Sequence, residues 1–320
     1  CSAPLSEAAS TDPLGFYAVK TAGRPENGPP ARTYFGLQLL PALKFAGQAV
    51  AVNGNRMSFS NPAGAVADPD RTLYLHVTDG AGQGFISDIT GFDGNDVICE
   101  DNLAPWITPG VMVKIRPHPH LSDIFGSDNR FGLGSGTDAA GADNVVIWDP
   151  AAQQEQVYYF HSVRNRWEKR NVEADAGKTR LTYPYGLYIV RRSTGGKRIS
   201  LSGEIGYEPV LLPVRQGANV FSLPVNLSAS LDNLIASTGP FAIEKGRNAS
   251  RADLLTFEEP ASGITKGPFY YRSSSFDRGW REVGIDDSEA PLQPLDLLSP
   301  LTLRRREATT GYVLARGSLD

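Results

Sequence analysis

Cysteine, methionine and histidine are scarce in this chain, at two, two and four in 320 residues. Two cysteines cannot staple a protein of this size, and they fall short of the four ligands of a closed structural zinc site. Four histidines, at 76, 118, 120 and 161, leave little material for general-base chemistry. No apolar run reaches the ~18 residues that span a bilayer, so no transmembrane segment is expected. Positive charge is not in excess either: 31 Lys and Arg stand against 35 Asp and Glu, a formal net charge of −4. That balance gives no field to hold a phosphate backbone and argues against nucleic acid as a partner. Long uninterrupted segments are also missing, because 33 glycines and 23 prolines punctuate the sequence throughout.

The remainder has the composition of a folded chain, 41% hydrophobic and 21% charged. Its length suggests two or three units of ~100 to 150 residues. The sequence starts at Cys1 with no methionine, which reads as the product of leader removal and hence of export. Three fates stay open for Cys1: a lipid anchor, a disulfide with Cys99 of its own or a neighbouring chain, or a free thiol. Residues 2 to 12 are small and polar, as in a tether or an arm.

A repeat organises the rest. At a spacing of 110, Leu121, Phe131, Gly136, Ala139, Ala142 and Asp143 match Leu231, Phe241, Gly246, Ala249, Ala252 and Asp253. As the offset drifts, Tyr158 and Tyr159 match Tyr270 and Tyr271, Trp167 matches Trp280, and Arg191 and Arg192 match Arg304 and Arg305. A weaker third copy lies upstream, with 73 to 79, 84 to 88 and 110 to 116 paralleling 145 to 149, 157 to 161 and 186 to 192. The repeat settles an ambiguity in residues 151 to 176, which contain no Gly or Pro and could pass for a charged helix. Their counterpart is broken by Gly267, Pro268 and Gly279, which a helix interior does not tolerate. Both copies therefore read as a pair of strands, with the tryptophan on the second strand. The Asn53-Gly54, Asp79-Gly80 and Asp93-Gly94 pairs are hairpin-turn dipeptides.

The expected fold is all-β: tandem β-sandwich or small-barrel modules with a few one- to two-turn helices, at 121 to 126 and 228 to 236. The expected divisions are an N-terminal arm (1 to 20), a β module that is the weak copy (21 to 120), and two further β modules (121 to 206 and 207 to 320).

The segment Thr11, Asp12, Pro13, Leu14, Gly15, Phe16, the AsnValPheSerLeuPro run at 219 to 224, the AlaAspLeuLeu strand at 252 to 255, the TyrTyr pair with its later GlyTrpArg, and the arginine pair near the end together resemble a family of secreted bacterial proteins. That family occurs as paralogous sets in verrucomicrobial genomes, and its mature chains start with a ThrAspProValGlyPhe-like segment. The resemblance covers most of the chain, though residues 17 to 32 fit it less well. It implies export, β-rich modules and an extracellular or cell-surface location, and it brings no catalytic residues.

No chemistry-bearing constellation stands out. His118 and His120 alternate with prolines and could point the same way toward a metal, but no third ligand is identifiable. The GlyLeuGlySerGly run at 132 to 136 fails both the dinucleotide fingerprint and the nucleophile elbow, and reads as a flexible connection. Acidic residues from Asp93 to Asp101 match no calcium loop and read as turns. Tyr158, Tyr159, Trp167, Tyr270, Tyr271 and Trp280 recur at matching positions and read as the repeat core, one tyrosine of each pair facing inward. The arginine pairs read as strand decoration with one member facing solvent. No catalytic residue, metal or cofactor is expected. The functional expectation is a noncatalytic structural subunit of an extracellular filament or surface layer, whose partners are copies of itself. Leu14, Phe16, Tyr17 and Val19 form the arm that would add a strand to the next subunit. The alternative is a surface lipoprotein that binds glycans through exposed aromatics.

Overall fold

Strand-forming alternation and turn dipeptides produce short antiparallel strands throughout the described residues. The computed structural model describes residues 14–61, 63–206, 208–222, 243–259, 264–274, 278–285, 300–307 and 311–315. Strands β1 (Leu14–Thr21), β2 (Ala31–Phe35) and β3 (Leu39–Leu40) come first. Six strands then close a barrel: β4 (Phe45–Asn53), β5 (Arg56–Phe59), β6 (Leu73–Val77), β7 (Ile86–Asp93), β8 (Asp96–Cys99) and β9 (Met112–Pro117), in the order β4-β5-β8-β7-β6-β9. The Asn53-Gly54 and Asp93-Gly94 turns join β4 to β5 and β7 to β8. Their glycines sit at φ +62° and +59° with open space around the missing Cβ, so the backbone conformation alone selects glycine.

One helical turn, α1 (Leu121–Phe125), leads into β10 (Asn144–Asp149), β11 (Gln154–His161), β12 (Arg166–Lys169), β13 (Val172–Asp175), β14 (Leu187–Arg191) and β15 (Lys197–Ile205). These strands do not form a self-contained module. β14 pairs with β2, giving the sheet β13-β12-β11-β10-β14-β2, and β15 pairs with β1 and β3 in a second sheet. Val19, Val145, Tyr158, Trp167 and Ile189 pack between the two sheets as the core of a sandwich.

The last third repeats the plan. β16 (Val210–Val214), β17 (Gly217–Phe221), β18 (Leu254–Glu259), β19 (Ile264–Ser273), β20 (Arg278–Glu282), β21 (Leu301–Arg305) and β22 (Gly311–Ala315) form the sheets β16-β22 and β17-β21-β18-β19-β20. The match holds residue by residue. Gly136 bridges His161 in parallel and Gly246 bridges Arg272 in the same way, while Leu187 lies opposite Phe35 and Leu301 opposite Phe221. Val19, Leu133, Val145, Tyr158, Trp167 and Ile189 of the first core answer to Leu212, Ile243, Leu255, Phe269, Trp280 and Leu303 of the second.

The strand pairing therefore divides the chain differently from the sequence reading. Of the expected arm, residues 1 to 20, the stretch from Leu14 onward is the first strand of the first sandwich, equivalent to β16, and residues 1 to 13 lie outside the described residues. The division at 21 to 120 mixes β2, which belongs to that sandwich, with the barrel. Equivalent residues differ by 186 in number at Phe35 and Phe221 but by 110 at Gly136 and Gly246, so the first sandwich carries 76 residues that the second lacks. The barrel is this insertion. It still shares the strand order β8-β7-β6-β9 with β12-β11-β10-β14, the stretch where the weak third copy was read.

Two registers are corrected by one residue. Phe160 lies opposite Trp167 and Tyr271 opposite Trp280, so Tyr158 corresponds to Phe269 and Tyr159 to Tyr270. Arg191 corresponds to Arg305, not Arg304. A one-place slip exchanges the two faces of a strand, which is why the inward member of each pair changes. The expected helix at 228 to 236 lies outside the described residues.

Candidate functional site

The duplicated charge motif is structural. The Arg191 guanidinium lies 2.8 Å from the Asp143 carboxylate and Arg305 lies 2.9 Å from Asp253, with all four side chains nearly inaccessible to water. Each aspartate also accepts backbone N–H groups, Gly134 and Arg192 in the first sandwich and Glu244 and Arg306 in the second. This refines the reading of the arginine pairs as strand residues with one member facing solvent: Arg304 is exposed and Arg192 half-buried, while the other member of each pair neutralises a buried carboxylate. It also removes the flexible connection expected at 132 to 136, since Gly134 bonds Asp143 in both directions and Gly136 is tied to Phe160 and Ser162.

The repeated aromatics are not gathered on a surface. Tyr158 and Trp167 are buried between the sheets, and the Trp167 indole donates to the Gly126 carbonyl at 2.7 Å. Tyr159 is buried on the opposite face with its hydroxyl 3.2 Å from Glu168. Trp280 is buried with the Tyr271 ring edge-on to it at 5.7 Å, and Tyr270 is half-buried.

Three of the four histidine rings, those of His76, His118 and His161, are held by structural hydrogen bonds. His118 Nε2 lies 2.7 Å from Asp88, and its Nδ1 accepts the Tyr183 N–H at 3.1 Å, so neither nitrogen is left for a metal or a substrate. Burial pushes the His118 pKa down, and the Asp88 carboxylate does not offset it. His76 Nε2 lies 3.0 Å from the Pro209 carbonyl, and burial lowers its pKa too. His161 Nδ1 accepts from the Val163 and Arg164 backbone N–H groups, and His120 precedes α1 with its backbone N–H donated to the Asp123 carboxylate. Among the described residues, no three His, Cys, Asp or Glu side chains are placed to hold a metal ion. In the acidic turn, Asp93 and Asp96 both pair with Arg56 at 2.9 and 2.7 Å. Cys1 lies outside the described residues. Cys99 is a free thiol buried in the barrel core, and burial pushes its pKa up to about 12, which makes it packing material and not a nucleophile.

Two surfaces among the described residues bear most directly on function. The first is β1, an edge strand paired over its full length with β15 of its own chain. Val19 faces the core, and the half-buried Tyr17 donates its hydroxyl to the Gly36 carbonyl. Leu14 and Phe16 point outward and are each 80% exposed. The equivalent strand, β16, is covered. Its outward Leu211 sits in the barrel core and its Leu211 N–H donates to the Gly84 carbonyl at 2.8 Å. Gly84, at φ +92°, has its missing Cβ position only 3.1 Å from that nitrogen, so a side chain there would hold the barrel off the strand.

The second surface is a cleft of about 540 Å³ where the barrel and the two sandwiches meet. Trp148, Tyr185 and Tyr312 line it, each half-buried and fixed from behind. The Trp148 indole donates to the Ala218 carbonyl at 2.7 Å, Tyr185 stacks on Phe221 at 5.7 Å, and Tyr312 sits edge-on to Trp106 at 5.4 Å. Four carboxylates line the cleft, Asp88, Glu100, Asp101 and Asp149, against the guanidinium groups of Arg180 and Arg215. Asp149 is held below the usual carboxylate range, mainly by the Ala152 N–H. Burial would raise Asp88, but hydrogen bonds from His118 and Arg180 bring it below that range. Burial pushes the Tyr185 hydroxyl up to about 12. Sequence reasoning missed this cleft because its walls come from segments more than 200 residues apart, with no shared motif.

Compared with known proteins, the chain matches no family model, no curated protein and no solved structure.

Proposed function

We propose that the protein is an exported, noncatalytic structural subunit of an extracellular filament or cell-surface layer, whose copies meet through the edge of β1 that no described strand pairs. One observation carries this reading: of two equivalent strands, β16 has its outer face and edge covered by the barrel, while β1 presents Leu14 and Phe16 to solvent. Edge strands are ordinarily protected by charge. β13, another edge, carries Glu173 and Asp175, whereas β1 has no charged residue before Lys20. The engagement of the His76, His118 and His161 rings in structural hydrogen bonds supports a noncatalytic role, and the family resemblance supports export.

Because β1 is occupied in its own chain, the mechanism is edge docking and not insertion of a loose arm. Adding β1 of one copy to the far edge of β15 in the next, over the part that β3 leaves unpaired, would repeat every two strands, about 10 Å, which is closer than two sandwiches can stand. β1 against β1, antiparallel about a two-fold axis, avoids that clash and makes an isologous contact. Such a contact closes a pair, and growth into a filament or layer uses a second surface.

Light scattering of the full chain across a concentration series, with electron microscopy of the same samples, tests this. The wild type is expected to form dimers or larger species, and Leu14→Ser with Phe16→Ser to shift it to monomer at unchanged thermal stability. A wild type that stays monomeric at its highest soluble concentration refutes the proposal.

A further inference from the structure

We propose that the cleft between the barrel and the two sandwiches binds a neutral oligosaccharide. The inference does not depend on self-assembly, since the cleft is built from residues other than those of β1.

Volume, lining and rigidity each point the same way. At about 540 Å³ the cleft lies within the ~300 to 1,000 Å³ of small-molecule sites and can seat more than one sugar ring. Trp148, Tyr185 and Tyr312 offer aromatic surface, on which the C–H faces of a pyranose ring pack with little loss of hydration. Each ring is braced by a contact outside the cleft, so little conformational entropy is lost on binding. Sugar hydroxyls both donate and accept, and the walls supply both partners: acceptors on Glu100, Asp101 and Asp149, donors on Arg180, Arg215 and Gln156.

Charge decides between ligand classes. Four carboxylates against two guanidinium groups repel a phosphorylated or sulfated ligand. Asp88 and Arg180 neutralise one another, which leaves Arg215 facing Glu100, Asp101 and Asp149. A purely apolar ligand would strip water from these ionised groups without replacing their hydrogen bonds. A neutral, hydroxyl-rich chain avoids both costs.

The cleft also joins all three parts of the molecule. Arg116 pairs with Glu204 of the first sandwich, and Lys114 pairs with Glu208 just before the second. These contacts fix the barrel against both sandwiches, so the walls are set before a ligand arrives.

The test is calorimetric titration of the full chain with cellohexaose, laminarihexaose, maltohexaose and mannohexaose, with heparin as the polyanionic control. At least one neutral hexasaccharide is expected to bind and to perturb tryptophan fluorescence. Trp148→Ala is expected to weaken that binding about tenfold. Arg215→Ala, at an exposed position, is expected to weaken it severalfold with an unchanged melting curve, so the proposal stays testable if Trp148→Ala fails to fold. Phe16→Ser is expected to leave binding unchanged. Failure of all four neutral sugars to bind, preference for heparin, or affinity unaltered by Arg215→Ala would each overturn the proposal.

Discussion

The two sandwiches share their interior and differ outside it. Opposite Tyr158 and Trp167 in the first stand Phe269 and Trp280 in the second, and each buries one arginine–aspartate pair at the same place. On the outer face, Val146 opposite Tyr188 in the first becomes Thr256 opposite Thr302 in the second. The first strand shows the same divergence, with Phe16 and Ala18 of β1 in solvent or partly so and their counterparts Pro209 and Leu211 turned against the barrel. Packing fixes the inner positions because any loss there leaves a void or an unpaired charge. The outer faces are free to take on different partners: the barrel for one copy and, on the present proposal, another subunit for the other.

The largest expected effect tests the shared interior. Asp143→Ala and Asp253→Ala each leave an arginine buried without its counter-charge, and each should cost ~3 to 5 kcal/mol in urea unfolding. Similar losses sharpen the equivalence of the two sandwiches. A loss below about 1 kcal/mol at either site breaks it, since that is the range of an exposed ion pair.

A smaller effect separates the barrel junction from the second sandwich, which contains no histidine. His76 and His118 have folded-state pKa values depressed below the ordinary 6.5 by burial. The unfolded chain therefore takes up more protons as the pH falls, so their contribution is complete above pH 6.5 and is lost on acidification. Asp88, whose pKa is also lowered, acts in the same direction at lower pH. Thermal melts from pH 7.5 down to 5 should show falling stability, with a shallower slope for His118→Asn. An unchanged slope in that variant contradicts the assignment.

The strands and the duplication were legible in the sequence because glycines, prolines and paired aromatics mark turns and core positions locally. The short helix at α1 and the strand character of residues 154 to 169 were legible for the same reason. The insertion was not. β2 and β14 pair across more than 150 residues, and nothing in the composition of residues 21 to 120 separates the strand that leaves from the barrel that intervenes. That one arginine of each pair faces solvent was legible, but the buried aspartate that the other meets was not, because an arginine in a strand carries no sign of its partner. The TyrTyr identity drew the alignment one place off, since chemical likeness outweighed a register that only the paired tryptophans fix.

β1 is an integral strand of the first sandwich whose second edge no described strand pairs. Hydrogen exchange of β1 amides in the full chain, followed against protein concentration, tests it most directly. At low concentration the amides directed at β15 are expected to be protected and the alternate set to exchange quickly, and this second set is expected to gain protection as concentration rises while β16 stays unchanged. Uniformly fast exchange along Leu14–Thr21 at every concentration would contradict it.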